Sequence, residues 1–193
     1  MRTAFPRAYL GFYPAVLSQD ELEESVNIIS RREENVQKFI VGPPRKSEPI
    51  GERSNFETES PVDLSSFGET KTAPLGDVAL ARSGDKGANV NFGVYVHTDE
   101  EWDWLRTFMT RAKLQELMGE TWEDWFFIER CEMPRIKAVH YVVYGPLGRG
   151  ISSSKILDGL GKGFAEFIRD RHVPIPKKFL GKWESFASPR AHL

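Results

Sequence analysis

The chain has 193 residues, with 26 basic and 28 acidic side chains and a net charge of −2. This balance excludes the strongly basic surface by which proteins bind nucleic acid. Its one cysteine, Cys131, excludes an internal disulfide and suits a reducing compartment. No apolar run is long enough to cross a membrane, and residues 1–6 lack the apolar core of a signal peptide. We therefore expect a soluble intracellular protein without nucleic-acid or membrane partners.

The first 74 residues contain little strand pattern. Residues 1–18 hold two prolines and several aromatic side chains, which predicts an extended strap. Ser18 and Glu21 form a capping-box pattern, and apolar residues follow at near-helical spacing, so the sequence predicts a helix over about 19–38. Residues 42–74 are rich in Pro, Gly, Ser, Thr and Glu, which predicts a linker or a long surface loop. The predicted segments are thus a strap and helix over 1–41 and a linker over 42–74.

Residues 75–176 alternate strands and helices and form the predicted compact domain, followed by a tail over 177–193. Alternating polar and apolar residues indicate the strands, and apolar residues three or four positions apart indicate the helices. The predicted elements are strands at 78–80 and 89–97, a helix at about 100–118, strands from 125 and over 138–144, and a helix at about 154–171.

This element order predicts an α+β two-layer sandwich. It is a circular permutation, ββαββα, of the ferredoxin-like arrangement. Numbered along the chain, its four strands should lie in the order 3-4-2-1 across one antiparallel sheet, with both helices on one face. Because the other face would be uncovered, we expect the protein to form a homo-oligomer or to cover that face with residues 1–40.

The glycine-punctuated stretch 81–93 carries the first functional signal. Gly84 and Gly87 permit sharp turns whose amides could face an anion. Asp85 would be a general acid/base, and Lys86 or Arg149 would hold a carboxylate or stabilise an enolate-like charge. The alternative reading is a solvated hairpin loop, where Gly-Asp pairs are common. Asp85 and Lys86 are the predicted catalytic residues.

A second glycine-rich turn precedes the last predicted helix. Gly148 and Gly150 flank Arg149, a forked donor for carboxylate or phosphate. The predicted topology brings this loop beside the first, although each could be a plain loop. The predicted substrate-binding residues are Arg82, Ser83, Gly84, Gly87, Asn89, Asn91, Arg149, Gly150 and Ser152. The four histidines include no ligand pair at helical spacing, so no metal or other cofactor is predicted.

These motifs resemble the C-terminal ferredoxin-fold domain of acyclic terpene utilisation A (AtuA)-like proteins over about residues 75–176. The run Arg-Ser-Gly-Asp-Lys-Gly at 82–87 is the specific part, and Asn89, Asn91, the 148–150 turn and the run 157–162 support it. The family usually carries a large N-terminal α/β domain, whereas residues 1–74 look at most like the join between the two domains. The resemblance implies a role in the catabolism of branched acyl or terpenoid acids, beside acyl-CoA carboxylases.

Two functions remain open at this level. The first is a lyase or isomerase that hydrates, dehydrates or isomerises an acidic acyl-, terpenoid- or polyketide-like metabolite between loops 83–91 and 145–154. The second is a non-catalytic module that oligomerises or docks on a partner enzyme of acyl metabolism. The ending Ala191-His192-Leu193 fits a peroxisomal signal of the Ser-Lys-Leu type, so the expected location is the cytosol or the peroxisome.

Overall fold

The computed structural model describes residues 15–29, 36–49, 51, 55–151 and 153–181. The chain divides into two compact units, Met1–Arg53 and Ser54–Leu193. No helix in the described ranges is long and apolar enough to cross a membrane. The predicted strap falls largely on residues 1–14, which lie outside these ranges, as does the 191–193 ending.

The first unit contains a hairpin where the sequence predicted a helix. Strand β1 (Ser25–Ile28) pairs antiparallel with β2 (Gln37–Ile40), after a single 3-10 turn at Gln19–Glu21. The helix prediction over 19–38 is therefore wrong. The Ser18 side chain makes no capping hydrogen bond, and the β-branched residues Val26 and Ile28 suit an extended strand.

The second unit contains a four-stranded antiparallel sheet. Its strands are β4 (Leu80–Lys86), β5 (Asn89–Tyr95), β6 (Phe127–Met133) and β7 (Ala138–Tyr144). They lie in the order β4-β5-β7-β6, which confirms the predicted order and the α+β class. Strand β4 starts later than expected and runs through the glycine motif, which the sequence predicted as a loop.

The helices pack on one face of this sheet, as predicted. Phe92 of β5 meets Phe164 edge to face, with ring centroids 5.5 Å apart, and stacks on Tyr141 of β7 at 5.7 Å. Phe92, Val94, Val139 and Tyr141 are fully buried beneath the helices. Each such side chain stabilises the fold by about 1.5–3 kcal/mol relative to an exposed one. The core therefore lies between the helices and the alternate residues of each strand that face them.

The predicted helix at 100–118 is two helices, α1 (Asp99–Phe108) and α2 (Arg111–Met118). Thr98 begins α1 with the capping box it forms with Glu101. Thr110 begins α2 by accepting a hydrogen bond from the Lys113 amide. The carbonyl of Met109, between the helices, accepts hydrogen bonds from Arg130 Nε at 2.9 Å and from the Tyr141 hydroxyl. The sheet thus holds the chain at this break.

The end of the domain also differs from the prediction. Helix α3 (Phe164–Arg169) covers only the end of the predicted 154–171 helix, because glycines at 159, 161 and 163 favour a loop. Strand β8 (His172–Pro176) follows it and pairs antiparallel with β3 (Thr70–Pro74). Residues 70–74 are thus a strand within the predicted linker. Ala73, Val173 and Ile175 are buried, so this pair contributes to the core.

A buried arginine fastens residues 55–58 to the edge strand β6. The Arg130 side chain is fully buried, and its guanidinium donates to the carbonyls of Phe56 and Arg106 and to Glu132. In addition, the Phe56 amide donates to the Arg130 carbonyl at 3.1 Å. These contacts satisfy a charge that would otherwise be costly to bury. They also cover part of an edge that would otherwise be open to another strand.

Candidate functional site

The glycine motif is a β-hairpin. Residues 82–86 belong to β4, residues 87–88 form a two-residue turn, and β5 begins at Asn89. Gly87 has a φ of +65°, whereas Ala88 does not have a positive φ. Glycine at the first turn position is typical of a tight hairpin whose twist matches its strands. The stretch is therefore more regular than the anion-binding loop that its glycines suggested.

Strand alternation separates the two predicted catalytic residues. Asp85 pairs in register with the buried residue Val90, on the face covered by helices. Lys86 points to the opposite, outer face because successive strand residues alternate. Its Nζ donates to the Asp85 carbonyl at 3.0 Å and not to the Asp85 carboxylate. The two side chains are thus on opposite faces of the sheet, so they cannot act together at one site.

The other motif residues divide in the same way. Ser83 faces the helices, where its hydroxyl donates to the Lys162 carbonyl at 3.2 Å and accepts from the Ala165 amide at 2.8 Å. It therefore holds the first turn of α3 against the sheet. The predicted substrate-binding residues on the outer-face register are Arg82, Gly84, Asn89 and Asn91.

The two glycine loops lie side by side, as predicted. The Leu147 amide donates to the Ala88 carbonyl at 3.0 Å, and the Gly145 amide donates to Asn89 Oδ1 at 3.2 Å. Gly150 lies against the backbone of Gly87, so a Cβ built on Gly150 would stand 3.3 Å from the Gly87 oxygen. Gly150 has a φ of +86°, so a side chain there would also strain the backbone. Arg149 is exposed, and Ser152 lies outside the described residues.

A cavity of about 520 Å³ lies at this end of the sheet, on the helix-covered face. Its walls come from the start of β5, the segment after α2, the loop after β7 and helix α3. Most of the lining is apolar, and three carboxylates accompany it. The lining residues are Val90, Met118, Glu120, Thr121, Glu123, Phe126, Pro146, Leu147, Ile156, Asp158, Gly161, Gly163, Phe164 and Phe167. The cavity lies at the end of the sheet where the sequence predicts a site, but none of its lining residues is predicted from the sequence, because their apolar spacing also indicates a core.

Asp158 organises one wall of the cavity. Its carboxylate accepts hydrogen bonds from the amides of Lys162 at 3.0 Å and Gly163 at 2.8 Å. Between them, Gly161 has a φ of +59°, and a Cβ there would stand only 2.9 Å from Val90 Cγ2. The run 157–163 is therefore shaped by the close approach of its backbone to β5. Residues 157–162 of this run belong to the resemblance, although none of them is predicted for the site.

Asp85 stands next to this cavity. It is half-buried and paired across the hairpin with Val90, which lines the cavity. Among the described residues, no side chain or amide donates a hydrogen bond to its carboxylate. Of the two predicted catalytic residues, Asp85 is the one on the face of the sheet where the cavity lies.

The outer face of the sheet is polar around Asn91 and His140. Asn91 Oδ1 is buried without a hydrogen-bond partner, on the register that pairs it with Gly84. Burial and, secondarily, the positive charge of Lys86 lower the pKa of His140.

Burial raises the pKa of the Cys131 thiol, which disfavours the reactive thiolate. Within the described ranges, no group of three His, Cys, Asp or Glu side chains could hold a metal ion.

The family model described as the AtuA ferredoxin-like domain matches residues 73–174, more than half of the chain. The chain belongs to this family. The match confirms the resemblance that residues 82–87 carry, and it includes both glycine loops, the hairpin and most of the cavity lining. Comparison with curated proteins and with solved structures gave no match.

The AtuA ferredoxin-like domain thus has its specific motif at a structural junction. The Ser83 hydroxyl accepts a hydrogen bond from the first turn of α3, and the Asn89 side chain accepts one from the loop after β7. Gly150 packs against the backbone of Gly87. These contacts explain why a small hydroxyl, an amide and two glycines occur at these positions. Asp85 is on the cavity side of the sheet, and Arg82 and Lys86 are on the outer side. Among the described side chains, none forms an ion pair with these three residues.

Proposed function

We propose that this AtuA ferredoxin-like domain binds a small acyl- or terpenoid-like metabolite in the cavity at the end of the sheet. The observation that supports this most is the cavity itself, which is large enough for a small metabolite and has mainly apolar walls. Phe126, Phe164 and Phe167 would cover the hydrocarbon part of the ligand. The family resemblance to proteins of branched acyl and terpenoid catabolism agrees with this kind of ligand.

Asp85 is the acid/base group in this proposal. A hydration, dehydration or isomerisation moves a proton to or from a carbon or oxygen next to a double bond or carbonyl, and a positioned carboxylate can carry it. Asp85 is half-buried and pairs across the hairpin with Val90, a residue of the cavity wall. Lys86 is on the other face, so its predicted role in holding charge needs a different residue. The proposed enzyme class remains a lyase or an isomerase.

A charge placed in the cavity wall should weaken binding of an apolar ligand. We expect Ile156→Asp to weaken binding of 1-octanol at least about tenfold, since the loss of one apolar contact and the burial of a charge together exceed 1.4 kcal/mol. Ile156 lines the cavity and is 48% exposed, so the variant should fold. Isothermal titration calorimetry measures the affinity.

The control is the neighbouring residue Leu157, which is fully exposed and does not line the cavity. Leu157→Asp introduces the same charge one residue away and should leave the affinity for 1-octanol unchanged. Equal weakening by both variants, or no binding of 1-octanol to the wild type, would contradict the proposed site.

A second candidate function is assembly without chemistry, and the hairpin of the first unit favours it. Val26, Ile28 and Phe39 lie on one face of the β1–β2 pair, and each is about half exposed (50%, 51% and 51%). A two-stranded hairpin alone is marginally stable in water. An apolar hairpin face of this kind is typical of a surface that docks on another chain. The occupant we propose is a second copy of this protein.

We expect Phe39→Asp to convert the protein from an oligomer to a monomer in sedimentation velocity. A charge on the apolar hairpin face would have to be buried in the contact, which is costly. Asn27→Asp adds the same charge on the opposite face of the same hairpin, since Asn27 pairs with Lys38, and should leave the oligomer intact. A wild-type protein that sediments as a monomer would refute assembly through this hairpin.

A further inference from the structure

Arg171 lies next to the cavity on the side of helix α3. Its guanidinium carbon is 4.0 Å from the centre of the Phe167 ring, and Phe167 lines the cavity. On another side it approaches Gly119, where a built Cβ would stand 4.0 Å from Nη2. Met118 and Glu120, the neighbours of Gly119 in the chain, also line the cavity. The guanidinium therefore touches one wall of the cavity and adjoins a second.

The guanidinium of this arginine has no ion-pair partner in the described part of the chain. Its Nε is buried without a hydrogen-bond partner, and no carboxylate in the described part of the chain lies within 4.0 Å of its guanidinium. Arg169 and Arg106 of the same unit are paired. Arg169 donates to Glu166 at 2.7 Å, and Arg106 donates to Asp103 at 2.9 Å. A half-buried guanidinium that only stacks on a ring is unusual, because buried polar groups normally have partners.

We propose that Arg171 receives the carboxylate of the ligand whose apolar part fills the cavity. This assignment rests on the proposed function and names its substrate class, which is a monocarboxylic acid with a hydrocarbon chain. The planar fork of a guanidinium can donate two parallel hydrogen bonds to a carboxylate. Stacking on Phe167 holds the plane of the fork in place, so little freedom is lost when the ligand binds.

The acidic groups of the lining determine where a carboxylate can lie. Asp158 uses both oxygens on the amides of Lys162 and Gly163, and Glu123 accepts a hydrogen bond from Trp125 Nε1. Glu120 is exposed to solvent, which screens its charge. A second anion is unfavourable beside any of these groups. The position next to Arg171 is the one where the ligand charge is compensated, with the chain directed toward Val90 and Leu147.

The test compares octanoate with 1-octanol, which have the same chain length but a different head group. Calorimetry at pH 7.5 measures both affinities for the wild type and for Arg171→Gln. We expect the wild type to bind octanoate at least about tenfold more tightly than 1-octanol, as a charge-assisted hydrogen bond allows. Arg171→Gln should remove this preference and keep the affinity for 1-octanol. Arg135→Gln, which neutralises an exposed arginine that does not line the cavity, should preserve the preference.

The outcomes separate this assignment from the proposed function. Binding of both probes to the wild type with equal affinity, or a preference that survives in Arg171→Gln, overturns the role of Arg171 but supports the cavity. No binding of either probe to the wild type overturns both. If Arg171→Gln does not fold, nitrogen NMR of the wild-type arginine side chains decides. Octanoate must shift the Arg171 Nε signal and 1-octanol must not, and any other result overturns the assignment.

Discussion

Replacement of Arg130 by methionine is expected to lower the free energy of unfolding by about 3–5 kcal/mol. The side chain is fully buried, so the loss of its guanidinium leaves the carbonyls of Met109, Arg106 and Phe56 without this donor. It also leaves the Glu132 carboxylate, only 20% exposed, without its positive partner at 2.9 Å. Urea unfolding followed by circular dichroism measures the change as a shift of the midpoint.

Arg111→Met is the matched control for this prediction. Arg111 pairs with Glu57, but the two side chains are 39% and 41% exposed, and exposed ion pairs contribute about 1 kcal/mol or less. Both variants replace an arginine by methionine. The difference between their losses in free energy of unfolding therefore measures the effect of burying the arginine. A loss below 1 kcal/mol in Arg130→Met would show that the protein does not depend on this network.

The second large effect concerns Asp85. Replacement by asparagine should reduce turnover of the bound acyl metabolite by about 10²- to 10⁴-fold, which is the contribution of one positioned acid/base group. The amide has nearly the size of the carboxylate but cannot exchange a proton. Since no described residue donates a hydrogen bond to the carboxylate, the melting temperature should stay the same. Steady-state kinetics and thermal unfolding of the same preparation measure both quantities.

Asp124→Asn controls for the loss of one negative charge, because Asp124 is exposed and does not line the cavity. It should retain full turnover. If Asp85→Asn instead loses stability in proportion to activity, the residue has a structural role and the assembly function gains support.

Strand order and helix placement could be predicted because they depend on patterns that recur along the chain. The alternation from Val90 to Val96 and from Ala138 to Tyr144 identifies half-buried strands, and few topologies connect such an element order. The loops after β4 and β7 could be placed together for the same reason. The contact between Gly87 and Gly150 follows from that topology.

The local errors arose where a tertiary contact overrides a local pattern. Helix α1 ends at Phe108 and Thr110 begins α2 because Arg130 and Tyr141 hold the Met109 carbonyl between them, and no spacing in the sequence reveals those partners. The hairpin at 25–40 has apolar positions that fit a helix almost as well as a strand. The sequence predicts a loop at the glycine motif, and in a loop the neighbouring side chains of Asp85 and Lys86 can converge on one site. In a strand they cannot.

The hairpin position of the motif has a consequence for how the protein can change. Odd-numbered residues of 81–85 face the helices and the cavity, whereas residues 82, 84 and 86 face outward on the same strand. Alternate residues of 81–86 are therefore subject to different selective pressures. Arg82 and Lys86 could therefore be exchanged for other surface residues without changing the side chains that face the helices one position away.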